Sequence, residues 1–226
     1  MRAFALIALL ATGCSSVLGF NDFTDTGSAT PDGGGVKVRV SGTVTAWQNG
    51  APIASVGVEA NSRDGASLSP QVDTTATGTY AVTLTLVGGN VDGYMHLATT
   101  GYLDSYAHFP AQITTNYTQD AVMFAGPDIT ALHDQAGAGP PVGNTGTMLI
   151  FAPPGSRLTV ESRTIYYIDS STGNINTTLT QTSLNGLAVV LNVPPGTDFH
   201  PQTATHPNNR SYQVEANSVA IIKLLE

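Results

Sequence analysis

The chain has 226 residues, enough for one large β domain or two small ones of about 100 residues each. Eight Lys and Arg stand against sixteen Asp and Glu, with no basic cluster to follow a phosphate backbone, so nucleic acid is excluded as an expected partner. Only 11% of residues are charged, Gly and Pro are plentiful, and Thr, Val and Ser recur, which favours short strands joined by many turns.

The N-terminus, MRAFALIALLATGCSS, carries Arg2, an apolar run from Ala3 to Ala11, then small residues before Cys14. That order reads as a secretory signal peptide over residues 1–13. The run is shorter than the roughly 20 apolar residues a membrane-spanning helix needs. Leu10, Thr12, Gly13 and Cys14 resemble the lipobox of bacterial lipoproteins, departing from it in having Ala11 where Leu is commonest. The resemblance implies cleavage before Cys14, lipidation of its thiol and attachment to a membrane. Ser15 after the Cys implies outer-membrane sorting in a Gram-negative cell. An ordinary signal-peptidase site with an incidental Cys is the alternative. Cys14 is the sole cysteine, so no intramolecular disulfide is available and the exported chain relies on its cores.

Residues 14–35 are polar and Gly-rich without a sustained period and read as a flexible tether. Order is expected from Val36, where Val36, Val38, Val40, Gly42, Val44 and Ala46 alternate with Lys37, Arg39, Ser41, Thr43, Thr45 and Trp47, giving a strand with one buried face. Asn49 and Gly50 form a tight turn and Pro52 fixes a bend. SVGVEA, TGTYAVTLTL with Tyr80, Val82, Leu84 and Leu86 in phase, and YMHLATTGY follow as strands.

Gly42, Val44, Gly50, Pro52, Ile53, Val56, Val58, Gly78, Tyr80, Gly101 and Tyr102 together resemble the carboxypeptidase regulatory-like family over residues 36–124. The resemblance implies a transthyretin-like antiparallel β-sandwich that accompanies catalytic domains and carries no catalytic residues itself. Residues 125–145, rich in Gly, Ala and Pro, read as a linker without a buried element. Residues 146–226 read as a second β-sandwich, with strands in GTMLIFAPPG, RLTVESRTIYYID and INTTLTQT, a hairpin turn at Asp169–Asn174, and two last strands about Asn217. Gly78 with Gly88 and Gly186 with Gly196 flank strands at the same spacing, so a tandem repeat is expected. The fold class is therefore all-β, as tandem small sandwiches.

No GxSxG, HExxH, GxxxxGK[ST] or CxxC motif occurs. His96, His108, His133, His200 and His206 lack the spacing of a helical zinc site. Asp104, Asp120, Asp128 and Asp134 read as turn residues, and Lys37 lies opposite the valines and is no candidate for a buried amine cross-link. No enzyme, cofactor or metal is expected. Two roles stay open: a structural spacer in the cell envelope, or an adhesive or carbohydrate-binding module. For the second, Trp47 on a polar face and Tyr102, Tyr106 and Phe109 in GYLDSYAHF are the rings that would stack on a sugar. The partners are the membrane, through the N-terminal lipid, and a glycan or an envelope protein.

Overall fold

The computed structural model describes residues 35–86, 91–109, 112–204 and 210–224. The signal peptide, Cys14, nearly all of the tether, Gly88 and His206 lie outside them. The described residues are all-β with one helix. The first half holds β1 (Val36–Ala46), β2 (Gly57–Ser62), β3 (Val72–Asp73), β4 (Thr79–Leu86), β5 (Gly93–Ala98), β6 (Asp104–His108), β7 (Tyr117–Thr118) and β8 (Ala121–Met123). Helix α1 (Gly126–Ala136) follows, then β9 (Gly146–Phe151), β10 (Leu158–Thr159), β11 (Tyr166–Tyr167), β12 (Leu187–Val193), β13 (Gln202–Thr203) and β14 (Ser218–Lys223).

Alternation builds the first half as expected, save that Val36, at the start of β1, is 62% exposed. Val38, Val40 and Val44 of β1 and Tyr80, Val82, Leu84 and Leu86 of β4 are buried, and the two strands pair antiparallel from Val36↔Leu86 to Thr43↔Thr79. β7 and β8 pair with β1 in parallel. Their apolar face packs on Val58, Ala60, Met95 and Leu97 of β2 and β5, giving two layers around one core. Gly50 supplies the positive φ of the turn at 64°, and Asn49 contributes its side chain, whose Oδ1 accepts from Ala51 N–H at 2.9 Å.

The second half departs from a free-standing sandwich. β14 inserts between β6 and β9, parallel to both, so one eight-stranded sheet runs β11-β12-β9-β14-β6-β5-β2-β3 across both halves. The near-continuous apolar runs MLIF, LAVVL and VAII mark strands buried on both faces. On one face Met148, Ile150, Val190 and Ile222 pack under Leu158, Phe199, Tyr212 and Val214. On the other, Leu149, Val189, Val219 and Ile221 join the first-half core.

The expected linker holds α1, which covers that second face with Ile129 and Leu132. Pro127 lies in its first turn, where a missing N–H is harmless, Asp128 Oδ2 accepts from Ala125 N–H at 2.7 Å, and Gly137 ends it at φ 63°. INTTLTQT forms no strand, and before Asn217 only the Phe199↔Tyr212 bridge is made. Asp104 starts β6, and Asp128 and Asp134 lie in α1, so three of the four supposed turn acids belong to regular elements.

The glycines that suggested a repeat do equivalent work. Gly78 (φ 73°) accepts from Val44 N–H at 2.8 Å, and Gly186 (φ 67°) accepts from Ala152 N–H at 2.8 Å. Each closes a four-residue turn by donating its N–H to the carbonyl of Thr75 and of Ser183. A Cβ at Gly78 would meet the Val44 carbonyl oxygen at 2.7 Å, and one at Gly186 the Ala152 carbonyl oxygen at 2.2 Å. Both sites thus need glycine for conformation and for space.

Candidate functional site

The four rings expected to stack on a ligand do not converge. Phe109 is fully buried beside Tyr117, a correction that follows from its place just past the last residue of an interior strand. Trp47, half-buried at the end of β1, stacks on Phe124 with centroids 4.6 Å apart and packs on the core. Tyr102 is half-buried against the same core. Only Tyr106 stands on an outer sheet face with neighbours of its own kind, and its stretch is a strand where a loop-flanking segment was expected.

The register explains that grouping. β5 and β6 pair Tyr94↔His108 and His96↔Tyr106, and β2 adds Asn61 beside Tyr94 and Glu59 beside His96. Side chains of period 2 therefore collect on one face. His96 stacks on Tyr106 at 4.9 Å, Tyr106 meets Tyr94 edge-on at 5.4 Å, Tyr94 meets His108 at 5.4 Å, and His108 meets Tyr212 edge-on at 5.2 Å. The result is a continuous row of five rings.

Where the row meets the second half there is a cleft of about 340 Å³, floored by Tyr94, Tyr106 and His108. One wall is the turn after β2, with Arg63 and Asp64, and the other is the stretch bearing Ser211, Gln213 and Glu215. The walls are tied together: Arg63 donates to the Ser211 carbonyl at 2.9 Å and to its hydroxyl. Arg210 pairs with Asp92 and donates to the Phe109 carbonyl, and Arg63 lies 3.8 Å from the same Asp92. Asp92 thus sits between two guanidinium groups and fastens the second half to the first.

Burial, with the nearby Arg210 charge, outweighs a hydrogen bond to the Gln213 backbone and pushes the His108 imidazole down to about 3, so it is neutral at pH 7. Its Nε2 is buried with no hydrogen-bond partner. Burial and Asp104 push the Tyr106 hydroxyl up to about 12. His96 meets Asp104 at 3.1 Å, and His200 meets Glu161 at 2.7 Å. Burial alone would raise Glu161; hydrogen bonds from the His200 backbone and ring outweigh it and hold the carboxyl below its usual range. No group of three or more His, Cys, Asp or Glu able to hold a metal occurs among the described residues. Sequence reasoning missed Tyr94, His96 and His108 as ring neighbours, although their alternation with Tyr106 was readable once β5 and β6 are paired.

The fold class is therefore an all-β protein whose ring-lined cleft lies on a sheet shared by two halves. No family model matches the chain and no curated protein matches it, so the likeness to the carboxypeptidase regulatory-like family rests on sequence pattern alone. Among solved structures it is similar to the Bacillus anthracis TIE protein, at 13% identity and a TM-score of 0.31, over 84% of this chain and 34% of that one. It is also similar to BcpA, the major pilin subunit of Bacillus cereus, at 11% identity and TM-score 0.30, over 81% and 69% of the two chains. The shaft pilin spaA from Lactobacillus rhamnosus GG gives 10% identity and TM-score 0.28, over 83% and 97%. The chain spans about a third of the length of the first of these. The scores are low, and none of these proteins' properties carries over to this chain.

Proposed function

We propose that this chain is an exported, non-catalytic structural module of the bacterial cell envelope, its first half of carboxypeptidase regulatory-like type, fixed to the outer membrane of a Gram-negative cell by lipid on Cys14. The observation that carries the structural role is β14: strand pairing to β6 on one side and β9 on the other makes the two halves one sheet, suited to spacing an attachment point from a distal surface. No helix among the described residues is long and apolar enough to cross a membrane. One acyl chain binds a membrane only marginally, at about 0.8 kcal/mol per buried CH₂, whereas the three that the lipobox resemblance implies hold stably.

Mass spectrometry of the mature N-terminus tests this reading. A chain beginning at acylated Cys14 and sedimenting with membranes is expected, with Cys14→Ser giving uncleaved precursor or soluble protein. An unmodified chain starting elsewhere would falsify the anchor. A carbohydrate-binding or adhesive role is the second reading, favoured by the half-buried Tyr94 and Tyr106, which pack against neither core.

A further inference from the structure

We propose that the cleft between the turn at Arg63 and the segment Ser211–Glu215 is a binding site for a neutral, hydroxyl-rich sugar ring, seated on Tyr94 and Tyr106 with a hydroxyl on His108 Nε2. The inference rests on the second reading above and gives it a place and a chemistry. Three observations select the ligand.

The floor is aromatic. Tyr94 and Tyr106 lie edge to face, 66° apart, so the surface offers one ring face and one ring edge to the C–H side of a pyranose. Each is half-buried, and neither packs against either hydrophobic core.

The base of the cleft carries an unmet polar atom. His108 is only 8% exposed, and its Nε2 has no partner. A buried polar atom left alone is costly, and strand β6 holds the ring in place. Held neutral by burial, the imidazole presents at Nε2 either a lone pair or an N–H, depending on tautomer. A hydroxyl both donates and accepts and so meets either form, whereas an ammonium meets only the lone pair and a carboxylate only the N–H.

The rim has the wrong charge for an anion. Asp64 and Glu215 line the cleft together with Arg63, which is engaged with Ser211 and Asp92. Two carboxylates with the Gln213 amide and the Ser211 hydroxyl are hydrogen-bonding groups of the kind a polyol meets, and they disfavour phosphate, sulfate and uronate. The volume, about 340 Å³, is at the small end of ligand pockets and suits one or two sugar rings. Arg63 bridging to Ser211 holds the walls apart at a fixed spacing, so little ordering is needed on binding.

The test uses the full chain and a panel of neutral oligosaccharides in gluco, manno, galacto and N-acetylhexosamine configurations, with an alkylammonium and a sulfated sugar as comparison probes. At least one neutral sugar is expected to bind and to shift the ¹⁵N resonance of His108 Nε2. Tyr94→Ala and Tyr106→Ala should each weaken binding about tenfold, which is about 1.4 kcal/mol. Unchanged urea midpoints would show that both variants fold. His108→Phe removes the polar atom while keeping a ring and should weaken binding as well.

Sugar binding that all three variants retain would overturn the site while leaving a carbohydrate role elsewhere on the surface. Absence of binding across the panel would overturn both. Binding confined to the ammonium or sulfated probe would overturn the ligand class. A bound sugar that leaves the His108 resonance unmoved would mean that only water meets Nε2 and would overturn the hydroxyl contact.

Discussion

Replacing Gly186 by Ala should cost far more than the same change at Gly196, although both glycines have nearly the same backbone, φ 67° and 68°. An L-residue in that left-handed region costs about 1–2 kcal/mol, partly offset by about 0.4–1 kcal/mol of lost freedom in the unfolded chain. At Gly196 nothing lies within 4 Å of the added Cβ, so a net loss near 1 kcal/mol is expected. At Gly186 the Cβ meets the Ala152 carbonyl oxygen at 2.2 Å, against a practical limit of 3.0 Å, so β9 and β12 must part by about 0.8 Å. That displacement strains the bond from Ala152 N–H to the Gly186 carbonyl, and an unpaired buried backbone group adds roughly 1–3 kcal/mol. Gly186→Ala should therefore lose on the order of 2 to 4 kcal/mol in urea unfolding at constant m-value. A loss within about 1 kcal/mol of Gly196→Ala would refute the close approach, and with it the structural equivalence to Gly78.

Phe109→Ala should cost about 3 to 5 kcal/mol, since the ring is fully buried, whereas the 78% exposed Leu184→Ala should change stability by less than about 0.5 kcal/mol; both are read by urea midpoints. Trp47→Ala should destabilise by removing the Phe124 stack and leave any sugar affinity of the cleft unchanged, measured by unfolding and titration together. For His108, the unfolded chain titrates near 6.5 and the fold near 3, so the unfolded state holds the extra proton between those values. Its contribution is fully present above pH 6.5 and is lost as pH falls, by about 1.4 kcal/mol per unit, so wild type should lose roughly 1.4 kcal/mol more than His108→Phe between pH 7.0 and 5.5. Equal losses in both proteins would show that His108 is not held neutral by burial.

Much of the first half was legible because it obeys a single local rule. Alternation assigned β1 and β4 correctly, since each of those strands has one buried face and one open one. The second half hides its organisation for the opposite reason. In LAVVL and VAII both faces are buried, so the pattern shows a strand and says nothing of its neighbours. Pairing of β14 with β6 joins residues about a hundred positions apart and has no local signature. Helix α1 was concealed by its Gly-Pro start and by its brevity, although Ile129, Leu132, His133 and Ala136 have the spacing of one helical face. The ring cluster failed to read for a related reason. Tyr102 and Phe109 were grouped with Tyr106 by nearness along the chain, and Trp47 was added for its place on a polar strand face, whereas register groups Tyr106 with Tyr94, His96 and His108.

The most direct test of the account is urea unfolding of the full chain followed by two signals at once. Trp47 is the sole tryptophan and lies in the first half, stacked on Phe124, so its fluorescence reports that half, while far-UV circular dichroism reports strands in both. A sheet shared through β14 predicts one transition with coincident midpoints. Two transitions, with dichroism retained after the tryptophan signal is lost, would contradict the claim that the halves are one structural piece.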